Sequence, residues 1–127
     1  MGGKVKVQYF DMHGRACHIR MALWYAGVDF EDCRLTGEEF KKKKMAGDFQ
    51  WGSLPDVQLA SGTKITQAQS VVRHIGIAFK GKMKEQLYPG KKNPEQSYEI
   101  DLMIEDHSDN LGTYYFLTKP DCPPEKI

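Results

Sequence analysis

The side chains best suited to catalysis or ligand binding are spread over the first 70 residues rather than gathered in one motif. Tyr9 ends a short alternating segment, Leu54-Pro55 opens another, and Gln67 stands at the start of a helical segment. Cys17 falls in the first turn of a predicted helix, where the helix dipole favours a thiolate. The residues by themselves therefore leave open a redox thiol and a site assembled from distant segments.

Several common reaction centres are missing from the sequence. It contains no Ser-His-Asp order, no zinc signature and no phosphate-binding loop. The histidines do not cluster at metal-ligand spacing, so we expect no metal and interpret them as structural or surface residues. They are His13, His18, His74 and His107.

Composition limits the function classes. Of 127 residues, 40% are hydrophobic and 11% aromatic, which is enough to build a core and excludes wholesale disorder. A formal net charge of +1 argues against a nucleic-acid partner. We also expect no membrane span and no secretory signal. Three cysteines without a C-x-x-C pair favour a reducing compartment, so the predicted location is the cytoplasm.

The spacing of apolar residues predicts an α/β layer with a mixed sheet. Residues 4–10 alternate with period two, as a strand does, whereas residues 15–26 follow the helical period up to the stop signal Gly27. The remaining predicted elements are a strand over 28–35, a short polar helix or loop over 38–45, a hairpin of 57–59 with 64–66, and a helix over 67–79.

The last third of the chain has a different character. Residues 81–93 form a predicted lysine-rich linker, and a long acidic helix begins at Pro94 and ends by Pro120. We expect an exposed apolar stripe on this helix, formed by Ile100, Ile104, Leu111 and Tyr114, which needs a partner. The predicted division is a domain over 1–80, a linker over 81–93 and a helical segment over 94–127.

Short motifs along the chain resemble those of cytosolic glutathione transferases. QYFDMHGRA at 8–16, with Ile19-Arg20 and then AGVDFED at 26–32, is similar to the opening of the sigma class and of the related S-crystallins. The motifs Asp48-Phe49, Leu54-Pro55 and KITQ at 64–67 are closer to the mu class. IDLM at 100–103 and Asp109-Asn110 resemble the first helix of the family's second domain.

The resemblance implies a fold and an activity. The fold is a thioredoxin-like glutathione-binding domain of order β-α-β-α-β-β-α, followed by the first helix of an all-α domain that is incomplete at Ile127. The activity is conjugation of glutathione to a small electrophile, in a protein that is a homodimer or docks to another protein through residues 100–115.

The resemblance gives Tyr9 the catalytic role. A phenol that donates a hydrogen bond to the glutathione sulfur favours the thiolate, whereas a free thiol has a pKa of roughly 8.5. The alternative is a buried strand tyrosine whose hydroxyl bonds only within the fold. Leu54-Pro55 matches a cis-proline that turns the Leu54 backbone toward the cysteinyl part of glutathione; the alternative is a trans proline at a strand edge.

Further glutathione contacts are implied at the matching positions. Gln67 matches the glutamine that holds the γ-glutamyl end, and Ala68 stands where the family usually has serine, so that backbone amides must serve the ligand carboxylate. Asp56 replaces a usually apolar residue. The other implied contacts are Arg15, Phe40, Lys44, Gly52 and Ser53, with Asp101 and Asp109 reaching the partner subunit's site.

Two alternatives to the transferase remain open. The chain is then either a non-catalytic structural subunit that uses the same fold in a larger assembly, or a glutaredoxin-like thiol oxidoreductase acting through Cys17. Ala68 and Asp56 motivate the first alternative. The lysine run over 41–44 has a simpler interpretation as a solvated helix face.

Overall fold

The computed structural model describes residues 3–80 and 85–118, which belong to two compact units that divide between Pro89 and Gly90. The first unit contains four strands and three α-helices among its described residues. They are β1 (Val5–Phe10), α1 (Cys17–Tyr25), β2 (Phe30–Leu35), α2 (Gly37–Met45), β3 (Asp56–Gln58), β4 (Lys64–Thr66) and α3 (Ala68–Ala78). The second unit contains α4 (Pro94–Leu117). Short 3-10 turns at Gly14–Ala16 and Gly90–Lys92 precede α1 and α4.

The strands form one mixed sheet in the order β2-β1-β3-β4. β1 runs parallel to β2, which the β1-α1-β2 connection requires, and antiparallel to β3, which forms a hairpin with β4. The α/β prediction and the predicted hairpin are confirmed. The register sets Gln8 of β1 opposite Asp56 of β3. Gln8 immediately precedes Tyr9, and Asp56 immediately follows Pro55.

The core lies on one face of this sheet, against α1 and α3. Alternate residues of β1, with Val57 of β3, turn inward, and both helices contribute aliphatic side chains at helical spacing. All of these side chains are at most 4% exposed: Val5, Val7, Val57, Ile19, Leu23, Val71 and Ile75.

The polar stretch over 38–45, predicted as either a helix or a loop, is part of helix α2. Thr36 is the N-cap: its hydroxyl accepts from the Glu39 N–H, and the Glu39 carboxylate accepts from the Thr36 N–H at 2.7 Å. This capping box satisfies two backbone donors at the start of the helix, and three lysines in its last turn complement the dipole.

Residues after α3 turn back onto that helix. The Tyr88 N–H donates to the Gly76 carbonyl at 3.0 Å, and a Cβ atom on Gly76 would lie only 2.7 Å from the Cβ of Tyr88. Only glycine allows this approach. The linker over 81–93 stays a prediction; its lysines at 82 and 84, the tail over 119–127 and Cys122 lie outside the described residues.

In the second unit, the Asn93 side chain accepts from the Gln96 N–H at 3.1 Å and caps α4. The prediction of an exposed stripe is wrong for three of its four residues: Ile100, Ile104 and Leu111 are half-buried, and only Tyr114 is exposed. The helix carries apolar side chains on several faces, and Tyr98 and Met103, which lie outside the predicted stripe, are more exposed than Tyr114. Among the described helices, none combines the length and the hydropathy that a membrane crossing needs.

Candidate functional site

Tyr9 lies near the carboxyl end of β1, and the following turn holds its hydroxyl. The side chain is 5% exposed, and its Oη accepts a hydrogen bond from the Arg15 backbone N–H at 3.1 Å. Gly14, with φ of +42°, begins the 3-10 turn that brings this N–H back over the strand. Because Oη already accepts from the backbone, the phenol hydrogen is left to be donated to another acceptor.

The backbone at the start of β3 and of α3 has two unusual conformations. The Leu54–Pro55 peptide bond is cis, as the resemblance implied, and the Pro55 carbonyl accepts from the Thr66 hydroxyl at 2.8 Å. Gln67 occupies the N-cap position of α3 without a capping hydrogen bond from its side chain, and its φ is +70°. It is the only non-glycine residue with positive φ in the part of the chain that the structure describes. A positive φ at a non-glycine residue costs free energy and is often found at binding sites, so the strain at Gln67 marks this residue as a functional candidate.

These segments line one groove of about 220 Å³. Six of the residues predicted to contact glutathione meet there: Arg15, Ser53, Leu54, Pro55, Gln67 and Ala68. Thr66 and Gln69 complete the lining and were not predicted, although both stand beside the Gln67-Ala68 pair in the sequence. Through the Arg15 N–H, the groove is adjacent to the Tyr9 hydroxyl.

Phe40, Lys44 and Gly52 form a neighbouring cluster rather than lining this groove. The Phe40 ring contacts the Phe10 ring edge-on at 5.2 Å and stacks on the Phe49 ring at 5.7 Å. Lys44 lies with Nζ 5.7 Å from the centre of the Phe40 ring, and a Cβ atom added to Gly52 would lie 3.4 Å from the Lys44 Cε. Helix α2 thus holds the ammonium group of Lys44, one of the glutathione contacts that the resemblance implies, near the Phe40 ring.

Asp56 is a buried acid directly after the cis-proline. It is 1% exposed; its Oδ2 accepts from the Gln8 Nε2 at 3.1 Å, and its Oδ1 has no hydrogen-bond partner among the described residues. Burial raises the pKa of the Asp56 carboxyl, while the hydrogen bond from Gln8 opposes this effect. The acid after proline is visible in the sequence, whereas its pairing with Gln8 depends on the strand register.

Arg20 is a second group beside Tyr9, and sequence reasoning missed it. Its guanidinium carbon lies 5.8 Å from the centre of the Tyr9 ring, and its side chain is 11% exposed. Nε donates to Asp32 Oδ1 at 2.9 Å, and Nη1 donates to the Met12 carbonyl at 2.8 Å. Burial works against ionisation of Asp32, but hydrogen bonds from Arg20 and Arg34 outweigh it and lower the pKa of that carboxyl.

Cys17 lies apart from the cis-proline groove. It lines a separate, more apolar groove of about 460 Å³ with residues of α1 and β2, among them Met21 and Trp24. Its Sγ is 3.9 Å from the Met21 sulfur. The structure therefore does not bring the thiol of the glutaredoxin-like hypothesis to Pro55.

The remaining predicted residues fall outside both grooves. Asp101 and Asp109 lie on α4 in the second unit, and the Asp109 carbonyl accepts from the Thr113 hydroxyl. Their action in a partner subunit stays a prediction. Within residues 3–80 and 85–118, no three His, Cys, Asp or Glu side chains are grouped as a metal ion would require.

Comparison with known sequences agrees with the resemblance that the short motifs indicated. Residues 5–76 match the family described as glutathione S-transferase, N-terminal domain. The chain is 33% identical to the class-mu 28 kDa glutathione S-transferase isozyme of Schistosoma mansoni, over 99% of this chain and 57% of that protein. It is also 33% identical to human glutathione S-transferase A1, over 99% of this chain and 52% of that protein. The chain thus spans about half the length of the curated relatives that it matches.

Comparison with solved structures agrees. Na-GST-3, described as a monomeric glutathione S-transferase of Necator americanus, superposes with a TM-score of 0.71 at 27% identity, over 90% of this chain and 51% of that one. Prostaglandin synthase D of Nilaparvata lugens superposes with a TM-score of 0.74 over 93% of this chain and 55% of that one; at 24% identity, this likeness concerns the fold.

Proposed function

Because this chain belongs to the glutathione S-transferase family, whose N-terminal domain matches residues 5–76, we propose that it binds glutathione and activates the thiol for attack on a small electrophile. The observation that carries the proposal is the buried Tyr9 hydroxyl, which accepts from the Arg15 N–H beside the cis-proline groove. That arrangement leaves the phenol hydrogen available for a sulfur atom in the groove.

The chemistry follows from the acidity of the thiol. At its ordinary pKa of roughly 8.5, only a few per cent of the thiol is ionised at neutral pH. Lowering that pKa by about two units, which corresponds to about 2.7 kcal/mol, makes the thiolate abundant. Tyr9 supplies a hydrogen bond that favours the anion. A sulfur lone pair then forms the bond to the electrophilic carbon, and a leaving group departs with its electron pair or a double bond is saturated after protonation.

Glutathione would be held mainly by backbone groups. Gln67, fixed at positive φ, would contact the γ-glutamyl end, while amides at the start of α3 face its carboxylate, where a helix N-terminus favours an anion. Leu54 would pair with the cysteinyl backbone, and Lys44 would reach the glycyl carboxylate. Ala68 removes the usual hydroxyl donor, and its methyl group packs into the core at 4% exposure.

The same proposal includes the location and the partners of the protein. The protein would act in the cytoplasm as a homodimer, or dock to another protein through residues 100–115. Asp101 and Asp109 would then contribute to the site of the partner subunit.

Calorimetry with glutathione and a chlorodinitrobenzene conjugation assay test the proposal on the wild-type chain and on Tyr9→Phe. We expect binding at millimolar glutathione or below. Tyr9→Phe should still bind millimolar glutathione, with an affinity only a few-fold weaker at neutral pH, and should lose about 10- to 100-fold in rate, because the thiol pKa returns toward its free value. Tyr25→Phe, a tyrosine outside the groove lining, is the control and should leave the rate unchanged.

Two results would contradict the transferase. The first is no binding at millimolar glutathione, which would favour the structural-subunit alternative. The second is activity that survives Tyr9→Phe and disappears in Cys17→Ser, which would favour the redox alternative.

A further inference from the structure

We propose that Arg20 is a positioning residue for Tyr9: its buried guanidinium holds the phenol ring and the turn that follows it, and its charge strengthens the phenol as a donor to the glutathione sulfur. The inference about the sulfur rests on the proposed function. The inference about the ring and the turn does not, because it concerns contacts within the chain.

The contacts of Arg20 join three separate elements. From α1, the guanidinium reaches the face of the Tyr9 ring at 5.8 Å, the Met12 carbonyl at 2.8 Å and the Asp32 carboxylate at 2.9 Å. Met12 belongs to the turn that continues into Gly14–Ala16, where the Arg15 N–H donates to Tyr9 Oη. One side chain thus restrains both the ring and the donor that orients its hydroxyl.

One nitrogen of the Arg20 guanidinium lacks a hydrogen-bond partner among the described residues, which indicates that the Tyr9 ring helps to stabilise this cation. Its Nη2 is buried and has no hydrogen-bond partner among the described residues. Buried donors are nearly always satisfied, so a guanidinium with one unsatisfied nitrogen needs another source of stabilisation. The negative face of an aromatic ring provides one, and the interaction strengthens when the cation is shielded from water.

A cation over the ring also affects the reaction. The guanidinium favours withdrawal of electron density from the phenol and so strengthens its O–H as a donor to an anion. It also adds positive potential near the position of the thiolate, in surroundings that screen charge less than bulk water does. Arg34 binds the same carboxylate at 3.0 Å, but its side chain is 42% exposed and also pairs with Asp11. Arg34 is therefore the matched control.

The first measurement is the pKa of the bound glutathione thiol, followed by thiolate absorbance across pH in the wild-type chain, Arg20→Met and Arg34→Met. Methionine keeps much of the apolar stem of Arg20. We expect Arg20→Met to raise the thiol pKa by about one unit, which means about ten-fold less thiolate at acidic pH. At a pH below the pKa of the bound thiol, the glutathione dissociation constant should change less than two-fold, because the thiol is then protonated in both proteins. Arg34→Met should match the wild type.

Asp32→Asn separates charge from simple attachment. Asparagine still offers an oxygen to Arg20 Nε but no longer neutralises the guanidinium, so we expect the thiol pKa to stay the same or to fall. A purely structural connection through Asp32 predicts the opposite, a rise like that of Arg20→Met. That rise would overturn the electrostatic part of the proposal.

The second measurement needs no glutathione. The backbone amide signal of Arg15 in NMR spectra reports its hydrogen bond to Tyr9 Oη, and Tyr9→Phe gives the signal without that bond. In the ligand-free chain, Arg20→Met should shift the Arg15 amide toward the Tyr9→Phe position and speed its exchange, while Arg34→Met should not. An unchanged amide would overturn the positioning role, whether or not the wild-type chain binds glutathione.

Discussion

Replacing Asp56 with asparagine should stabilise the first unit at neutral pH and leave its stability at pH 4 almost unchanged. The carboxyl is 1% exposed, Oδ2 has one partner in Gln8, and Oδ1 has no hydrogen-bond partner within the described residues. Asparagine keeps an oxygen for Gln8 Nε2 and places an equally unpaired NH2 group where Oδ1 lies. The two side chains therefore differ mainly in their ability to ionise.

The direction follows from the raised pKa. Burial raises the pKa of Asp56 above its ordinary value of 3.8, so the folded state holds this proton more tightly than the unfolded chain does. Stability is therefore greatest below pH 3.8, is lost as pH rises from there through the folded pKa, and stays lower above it. Nearby Lys43 and Lys64 reduce the rise, and Asp48 adds to it.

The magnitude follows from the cost of a buried charged acceptor that lacks one partner. Such a group costs about 1–3 kcal/mol, so we expect Asp56→Asn to exceed the wild type by about 2 kcal/mol at pH 7. That difference corresponds to roughly 8 °C in Tm for a chain of this size.

Denaturant unfolding followed by circular dichroism between pH 4 and pH 8 measures the difference. Other carboxyl groups change stability with pH as well, but they contribute equally to both proteins and cancel. Asp29→Asn is the control, because the Asp29 side chain is 85% exposed and its ion pair with Lys4 lies at the surface. A difference between wild type and Asp56→Asn that stays constant across this pH range would refute the reasoning.

Two further predictions concern glycine and backbone strain. Gly76→Ala should lower the unfolding free energy by about 1–3 kcal/mol, because the new Cβ would lie 2.7 Å from the Cβ of Tyr88. Gly112→Ala, where a Cβ has nothing within 4 Å, should be neutral or stabilising, and thermal unfolding compares the two; equal effects would contradict the close contact. Gln67→Gly should relieve a backbone strain of about 1 kcal/mol while weakening glutathione binding about ten-fold or more, as calorimetry would show. Unchanged affinity would remove Gln67 from the proposed site.

Periodicity was enough to predict the layers of the fold. The alternation of Val5, Val7 and Tyr9 in β1 and the turn between Val57 and Ile65 each reflect local rules, and both elements form as predicted. Helix α2 was left open although its signal was present: Thr36 and Glu39 have the spacing of a capping box.

The site could be predicted only as far as motif resemblance reaches. It pointed to Pro55 and Gln67, and the structure brings both to one groove. The contact of Gln8 with Asp56 joins residues 48 positions apart, and that of Arg20 with Asp32 joins a helix to a strand. Pairs of this kind depend on strand register and helix packing, which a single sequence leaves undetermined.

The hydrogen bond that orients the Tyr9 hydroxyl is unusually tolerant of mutation. Its donor is the backbone N–H of residue 15, which is present whichever amino acid other than proline stands at that position. Random substitution at this codon can therefore alter the groove wall, and with it ligand preference, without deleting that donor. Within this short turn, the preference for a ligand and the orientation of the phenol can evolve independently.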